Sequence, residues 1–155
     1  MVNPLVKNKY RRRGFSLPEV LLTIAILGMI AGLTIPFYQV FQISSQLDNA
    51  TNELGQSLQR AQEKAMSSQG GQPAGVHLQS GSFTLFLGNS YSPADPANET
   101  VALPPTVSLT QGTGVDVIFS RHTGETVNTG VITLTTTSNK FRAISINSLG
   151  VVNVQ

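Results

Sequence analysis

Cysteine and tryptophan are both missing from this chain of 155 residues. Without cysteine no disulfide can brace a fold, and neither a thiolate metal site nor a thiol nucleophile can exist. Charge is scarce too, at 12% of residues, so water has to be met by the hydroxyls and amides of the Ser, Thr, Asn and Gln that abound after Ser67. That composition, with many turn formers, suits β structure. Catalytic patterns are lacking as well: there is no HExxH, GxSxG or phosphate-binding loop, and His77 and His122 stand apart from any partner pattern. Asp95 and Glu99 lack the alternating oxygen ligands of a calcium loop. No enzyme activity, cofactor or metal is expected.

What charge there is lies segregated along the chain. Lys7, Lys9, Arg11, Arg12 and Arg13 are half of the 10 basic residues, and all of them precede Gly14. From Phe15 onward Arg60, Lys64, Arg121, Lys140 and Arg142 face all 8 acidic residues, so this remainder is net acidic despite the overall charge of +2. Strong nucleic-acid binding by that remainder is not the default expectation.

Residues 15–37 read FSLPEVLLTIAILGMIAGLTIPF, with Glu19 as the single ionisable side chain. As a helix this run would reach about 34 Å, enough for a hydrocarbon core of about 30 Å. The basic cluster before it predicts a cytoplasmic start, with everything after Phe37 on the far side. A cleavable secretory signal would have a shorter apolar region ending in a small-residue cleavage site, which Pro36-Phe37-Tyr38-Gln39 does not offer. A plain anchor leaves Glu19 unexplained, because a carboxylate within a spanning helix costs about 2.5 to 3.5 kcal/mol. Either the acid reaches the cytoplasmic headgroups and favours the helix N-terminus, or it has a partner. Gly28 and Gly32 form a G-x-x-x-G pair that can mark a close-packing face, and Pro36 removes a backbone hydrogen bond and favours a kink.

Gly14-Phe15-Ser16-Leu17-Pro18-Glu19, preceded by three arginines and followed by the apolar run, resembles the processing site of type IV prepilins and type II secretion pseudopilins. The resemblance implies that a prepilin peptidase cuts between Gly14 and Phe15 and that the same enzyme N-methylates Phe15. It also implies that Glu19 neutralises the terminal amine of a neighbouring subunit in a helical filament. Opposite charges in a dry helical bundle attract strongly, while either alone is expensive. Many pilins carry glycine and proline at places matching Gly28 and Pro36, bracketing a segment that can unwind in the filament.

Past Pro36, Ile43, Leu47, Ala50, Leu54, Leu58, Ala61 and Ala65 recur at steps of three and four, predicting an amphipathic helix that Gly70, Gly71 and Pro73 end. Alternating runs at 76–79, 82–87, 100–103, 115–119, 131–135, 141–146 and 151–154 predict strands. Residues 89–105, with prolines at 93, 96, 104 and 105, read as a loop. The predicted fold is α+β: a long N-terminal helix, membrane-spanning in its first half and amphipathic in its second, packed on a small antiparallel β head. Residues 1–14 would be the cleaved basic leader, 15–37 the spanning and filament-core helix, 38–68 the amphipathic helix and 69–155 the head. The closing pattern, from Ile118-Phe119 through Gly130-Val131-Ile132 and Ile144-Ser145-Ile146 to Gly150-Val151-Val152, is similar to the C-terminal domain of the H-type minor pseudopilins and related minor type IV pilins.

The function this implies is that of a structural subunit, a minor pilin or pseudopilin, of a type IV pilus or type II secretion filament. It would reside in the bacterial inner membrane and then in the filament, with the prepilin peptidase, other pilin subunits and an inner-membrane assembly platform as partners. The alternative is a DNA-binding or adhesive pilin acting in DNA uptake or surface attachment. Some DNA-binding relatives use arginines after a glycine near the C-terminus, where this chain has Gly150-Val151-Val152-Asn153. Arg121, Lys140 and Arg142 remain as the candidate basic patch.

Overall fold

The computed structural model describes residues 14–67 and 71–155. The basic leader up to residue 13, and residues 68–70 with the predicted helix-stopping Gly70, lie outside the described residues, as do the side chains of residues 33–37. Among the described residues there are one helix and eight strands. The chain divides into two units, Met1–Gln39 and Val40–Gln155, and the helix α1, Leu17–Met66, contributes to both.

In the first unit α1 is apolar all round. Leu17, Leu21, Leu22, Ile24, Leu27 and Met29 point to different sides of the helix, and all are exposed. A helix of this kind is stable only when lipid or other helices cover it. Among the described residues no helix is long and apolar enough to cross a membrane. The apolar stretch with described side chains runs only from Leu17 to Gly32, short of the about 20 residues that a hydrocarbon core requires. The helical backbone runs on through Pro36.

In the second unit the strands are β1 (Ala74–Gln79), β2 (Ser82–Leu87), β3 (Glu99–Ala102), β4 (Val107–Gln111), β5 (Asp116–Phe119), β6 (Gly130–Thr136), β7 (Phe141–Ile146) and β8 (Val152–Val154). They form two four-stranded sheets, ordered β3-β2-β1-β5 and β4-β6-β7-β8, with every pairing antiparallel. The sheets meet where Leu109 N donates to Ser80 O at 3.2 Å and Gln111 Nε2 donates to Leu78 O at 2.6 Å.

The predicted helix stripe is the backbone of the core. Leu47, Ala50, Leu54, Leu58, Ala61 and Ala65 are all buried, and the buried face also takes in Thr51 and Ser57. Two-residue alternation sends Val76, Leu78, Phe83, Leu85, Val117 and Phe119 of the first sheet, and Ile132, Leu134, Ile144 and Ile146 of the second, into the same cluster. Each fully buried Leu, Ile or Phe contributes about 1.5 to 3 kcal/mol. The small residues of the stripe let the sheets approach: a Cβ at Gly55 would stand 3.0 Å from Val154 Cγ2, so β8 lies directly on the helix there.

Two details differ from the sequence reading. No strand is predicted between residues 104 and 114, yet β4 forms there. Val107 and Leu109 are buried while Ser108 and Thr110 are exposed, an alternation hidden one residue behind Pro104-Pro105. The strand predicted at 100–103 forms as β3, Glu99–Ala102, so the 89–105 segment is a loop only on either side of it.

Candidate functional site: the start of α1 and the charged groups of the head

Ser16 caps α1. Its carbonyl accepts hydrogen bonds from Glu19 N at 3.0 Å and Val20 N at 3.2 Å. In return Ser16 N donates to Glu19 Oε2 at 3.5 Å. The Glu19 contact is one half of a capping box, with the Ser16 carbonyl accepting in place of its hydroxyl, and it puts a carboxylate in the first turn, where the positive end of the helix dipole favours it. Pro18 fits the same turn, since its missing N–H would have had no partner inside the helix. The S-x-x-E spacing was readable as a cap, and the sequence reading did not use it.

Around this cap the chain is open. Phe15 is 80% exposed, Glu19 is exposed, and a Cβ at Gly14, Gly28 or Gly32 would meet nothing within 4 Å. The residues expected to be cut, methylated and docked therefore lie together on a single accessible segment. Gly28 and Gly32 mark a strip of helix that a second helix can approach closely.

The three residues of the candidate basic patch do not come together. Lys140 Nζ donates to Ser44 Oγ at 2.6 Å, and Arg142 Nε pairs with Asp48 Oδ1 at 2.9 Å, so both lie beside the beginning of the helix in the second unit. Arg121 precedes His122, whose N–H donates to Ala65 O near the end of the same helix. Ser44 and Ala65 are about 30 Å apart along α1 by the rise of a helix.

Of the two acids considered for calcium, Glu99 is held by cations instead: Lys64 Nζ lies 2.6 Å from its Oε1, and Arg60 pairs with its Oε2. The hydrogen bond from Lys64, assisted by the charges of Lys64 and Arg60 and opposed by partial burial, holds the Glu99 carboxyl below its ordinary range. Asp95 accepts from Ala97 N at 2.9 Å within its own turn. Among the described residues no three or more His, Cys, Asp or Glu side chains are grouped to hold a metal. His77 is less isolated than the sequence suggests. Its Nδ1 is 2.5 Å from Asp116 Oδ1, and its ring stacks on Tyr91 at 3.9 Å between centroids. These contacts pin the loop after β2 onto the first sheet.

The prokaryotic N-terminal methylation motif matches residues 9–35, which contain Gly14, Phe15, Glu19 and Gly28. The type II transport protein GspH family matches residues 50–150, nearly all of the β head. The chain belongs to the GspH family. As a GspH-family member it is a pilin-like structural subunit of a filament. Among solved structures it is similar to the type IV minor pilin FimU of Pseudomonas aeruginosa, at 18% identity and a TM-score of 0.58 over 70% of this chain and 92% of that one. It is also similar to EpsH, the minor pseudopilin of the type 2 secretion system of Vibrio cholerae, at 14% identity and a TM-score of 0.54 over 71% of this chain and 96% of that one. These likenesses show a shared fold. Fimbrial protein EcpB of Eikenella corrodens is 37% identical over 46 residues, and the match spans only 30% of this chain and 29% of that protein.

Proposed function

We propose that this GspH-family chain is a minor filament subunit that is made as a precursor, cut between Gly14 and Phe15 by a prepilin peptidase and N-methylated at Phe15. Its apolar helix then holds it in the inner membrane, with the head outside the cytoplasm, until an assembly platform passes it into a pilus or pseudopilus. The observation that carries this reading is the first unit itself: a helix apolar on every side, exposed at each described side chain, with one carboxylate in its first turn and an open Gly14-Phe15 bond before it. Such a helix needs lipid first and neighbouring helices afterwards. Glu19 gives the second environment its selectivity, because the new amine of a neighbouring subunit is the charge that makes its burial tolerable. Its local contact, one hydrogen bond of 3.5 Å to Ser16 N, leaves acceptor capacity for that amine.

Mass spectrometry of the protein purified from membranes tests the reading directly. An N-terminus at Phe15 carrying one methyl group is expected, and Gly14 replaced by a bulky residue should leave the leader attached. A mature chain that retains Met1, or that begins beyond Phe37, would sink the proposal.

A further inference from the structure

We propose that the turn between β6 and β7, with Lys140 as its cationic contact and Phe141 as its apolar one, rests on the anionic phospholipid surface while the chain awaits assembly. This rests on the membrane-anchor reading above. Lys140 and Arg142 fasten the turn to α1 through Ser44 and Asp48, within the second unit and close to where the chain enters it. Phe141 is 63% exposed there, and Phe41, one helical turn before Ser44 on the same face, is 70% exposed. Exposed aromatic rings beside a lysine suit the interface of a bilayer, where the rings sit at headgroup level and the ammonium meets phosphate.

Chain length confines this turn to the neighbourhood of the membrane. Ser44 follows Phe37 by seven residues, which span at most about 25 Å even when fully extended. That bound holds however the two units are arranged. Anchoring also removes the need for an affinity that could recruit a free protein, since a tethered contact is an intramolecular one. One cation near an anionic surface then raises the docked population about fivefold, equivalent to about 1 kcal/mol. Duplex DNA is the poorer occupant. Asp48 offsets Arg142, Arg121 lies at the other end of the helix, and a DNA-binding surface ordinarily makes about six to ten phosphate contacts.

The absence of cysteine makes the test direct. The full chain is reconstituted in vesicles as two single-cysteine variants, Ser138→Cys in the turn and Val127→Cys in the loop after β5, where Val127 is 93% exposed, each carrying a fluorophore. Lipids spin-labelled at the headgroup serve as quenchers. With phosphatidylglycerol present, quenching at 138 should be at least twofold that at 127. It should fall towards the 127 value in pure phosphatidylcholine and with Lys140→Gln, and return with Lys140→Arg, while the thermal melt of the Lys140→Gln chain stays that of the wild type. A chain that does not float with the vesicles overturns the anchor reading and this contact with it. A chain that floats but is quenched equally at both positions, or equally with and without Lys140, overturns the contact alone. Two further outcomes also overturn it: a difference between 138 and 127 that appears only at high protein density, which makes a second copy the occupant, and a Lys140→Gln effect confined to duplex DNA binding.

Discussion

Glu99, the first residue of β3, holds Lys64 of α1 at 2.6 Å while its other oxygen pairs with Arg60, one helical turn earlier. One carboxylate thus ties an edge strand to two successive turns of helix. The cluster is partly exposed, so its worth is limited by solvent screening.

Glu99→Gln should destabilise the protein by about 0.5 to 1 kcal/mol at neutral pH, the range for exposed pairs with good geometry. The folded-state carboxyl is held below its ordinary value of 4.5. Its contribution is therefore fully present above that value and is lost as pH falls through the lower, folded one. Urea titrations of both forms should show a gap that closes on acidification below about pH 4.5. A gap that stayed constant down to the acid limit would mean that Glu99 acts by packing rather than by charge.

Glu19→Leu separates docking from anchoring. Removing the carboxylate lifts an insertion cost of about 2.5 to 3.5 kcal/mol at most, so membrane residence should persist. Cleavage between Gly14 and Phe15 should continue. Entry into filaments should fall more than tenfold, because an amine left unpaired in the bundle costs about 3 to 5 kcal/mol. The comparison is between cleaved subunit in membranes and subunit in sheared filaments, and equal incorporation of both forms would remove Glu19 from the assembly step.

Gly150 should not tolerate alanine. Its φ is +77°, and a Cβ there would stand 2.1 Å from Gly124 O and 2.5 Å from Gln62 Nε2. Backbone strain and the clash together predict a loss of about 2 to 4 kcal/mol. Gly81→Ala, where a Cβ meets nothing within 4 Å, should change stability by less than about 1 kcal/mol. Similar melting temperatures for the two variants would contradict this account of the close approach of the 124 and 150 turns.

A head fragment beginning near Gln42 should be soluble, monomeric and rich in β structure with one helix, because the exposed apolar helix is gone and the remaining stripe is covered by both sheets. Within it Leu58→Ala should cost about 2 to 5 kcal/mol, since Leu58 is fully buried. Circular dichroism of an unfolded chain would refute a self-sufficient core.

The parts of the fold that were legible in advance are those written in local periodicity. The stripe from Ile43 to Ala65 repeats every three or four residues, and of its expected positions only Ile43, at its start, is half-buried rather than buried. β4 escaped because Pro104 and Pro105 stand one residue before a strand of only five residues. The contacts of His77 were illegible for a different reason. Pairing of β1 with β5 sets His77 opposite Asp116, and Thr84 meets Thr100 through the pairing of β2 with β3. Such register is decided by the whole core and leaves no mark in neighbouring residues. The Ser16 and Glu19 cap was present as a four-residue pattern and needed only to be weighed as one.

The outer strands of the two sheets have a bearing on life inside a filament. β3 and β5 have four residues each, β4 has five, β8 has three, and β3 opens with the ion-paired Glu99. Subunits packed side by side meet at very high local concentration, the condition under which open strand edges recruit one another. Edges this short, one of them charged, offer little template for such pairing. On the proposed reading, assembly is thereby left to the apolar helices, and the heads enter a filament as separate folded units rather than as one fused sheet.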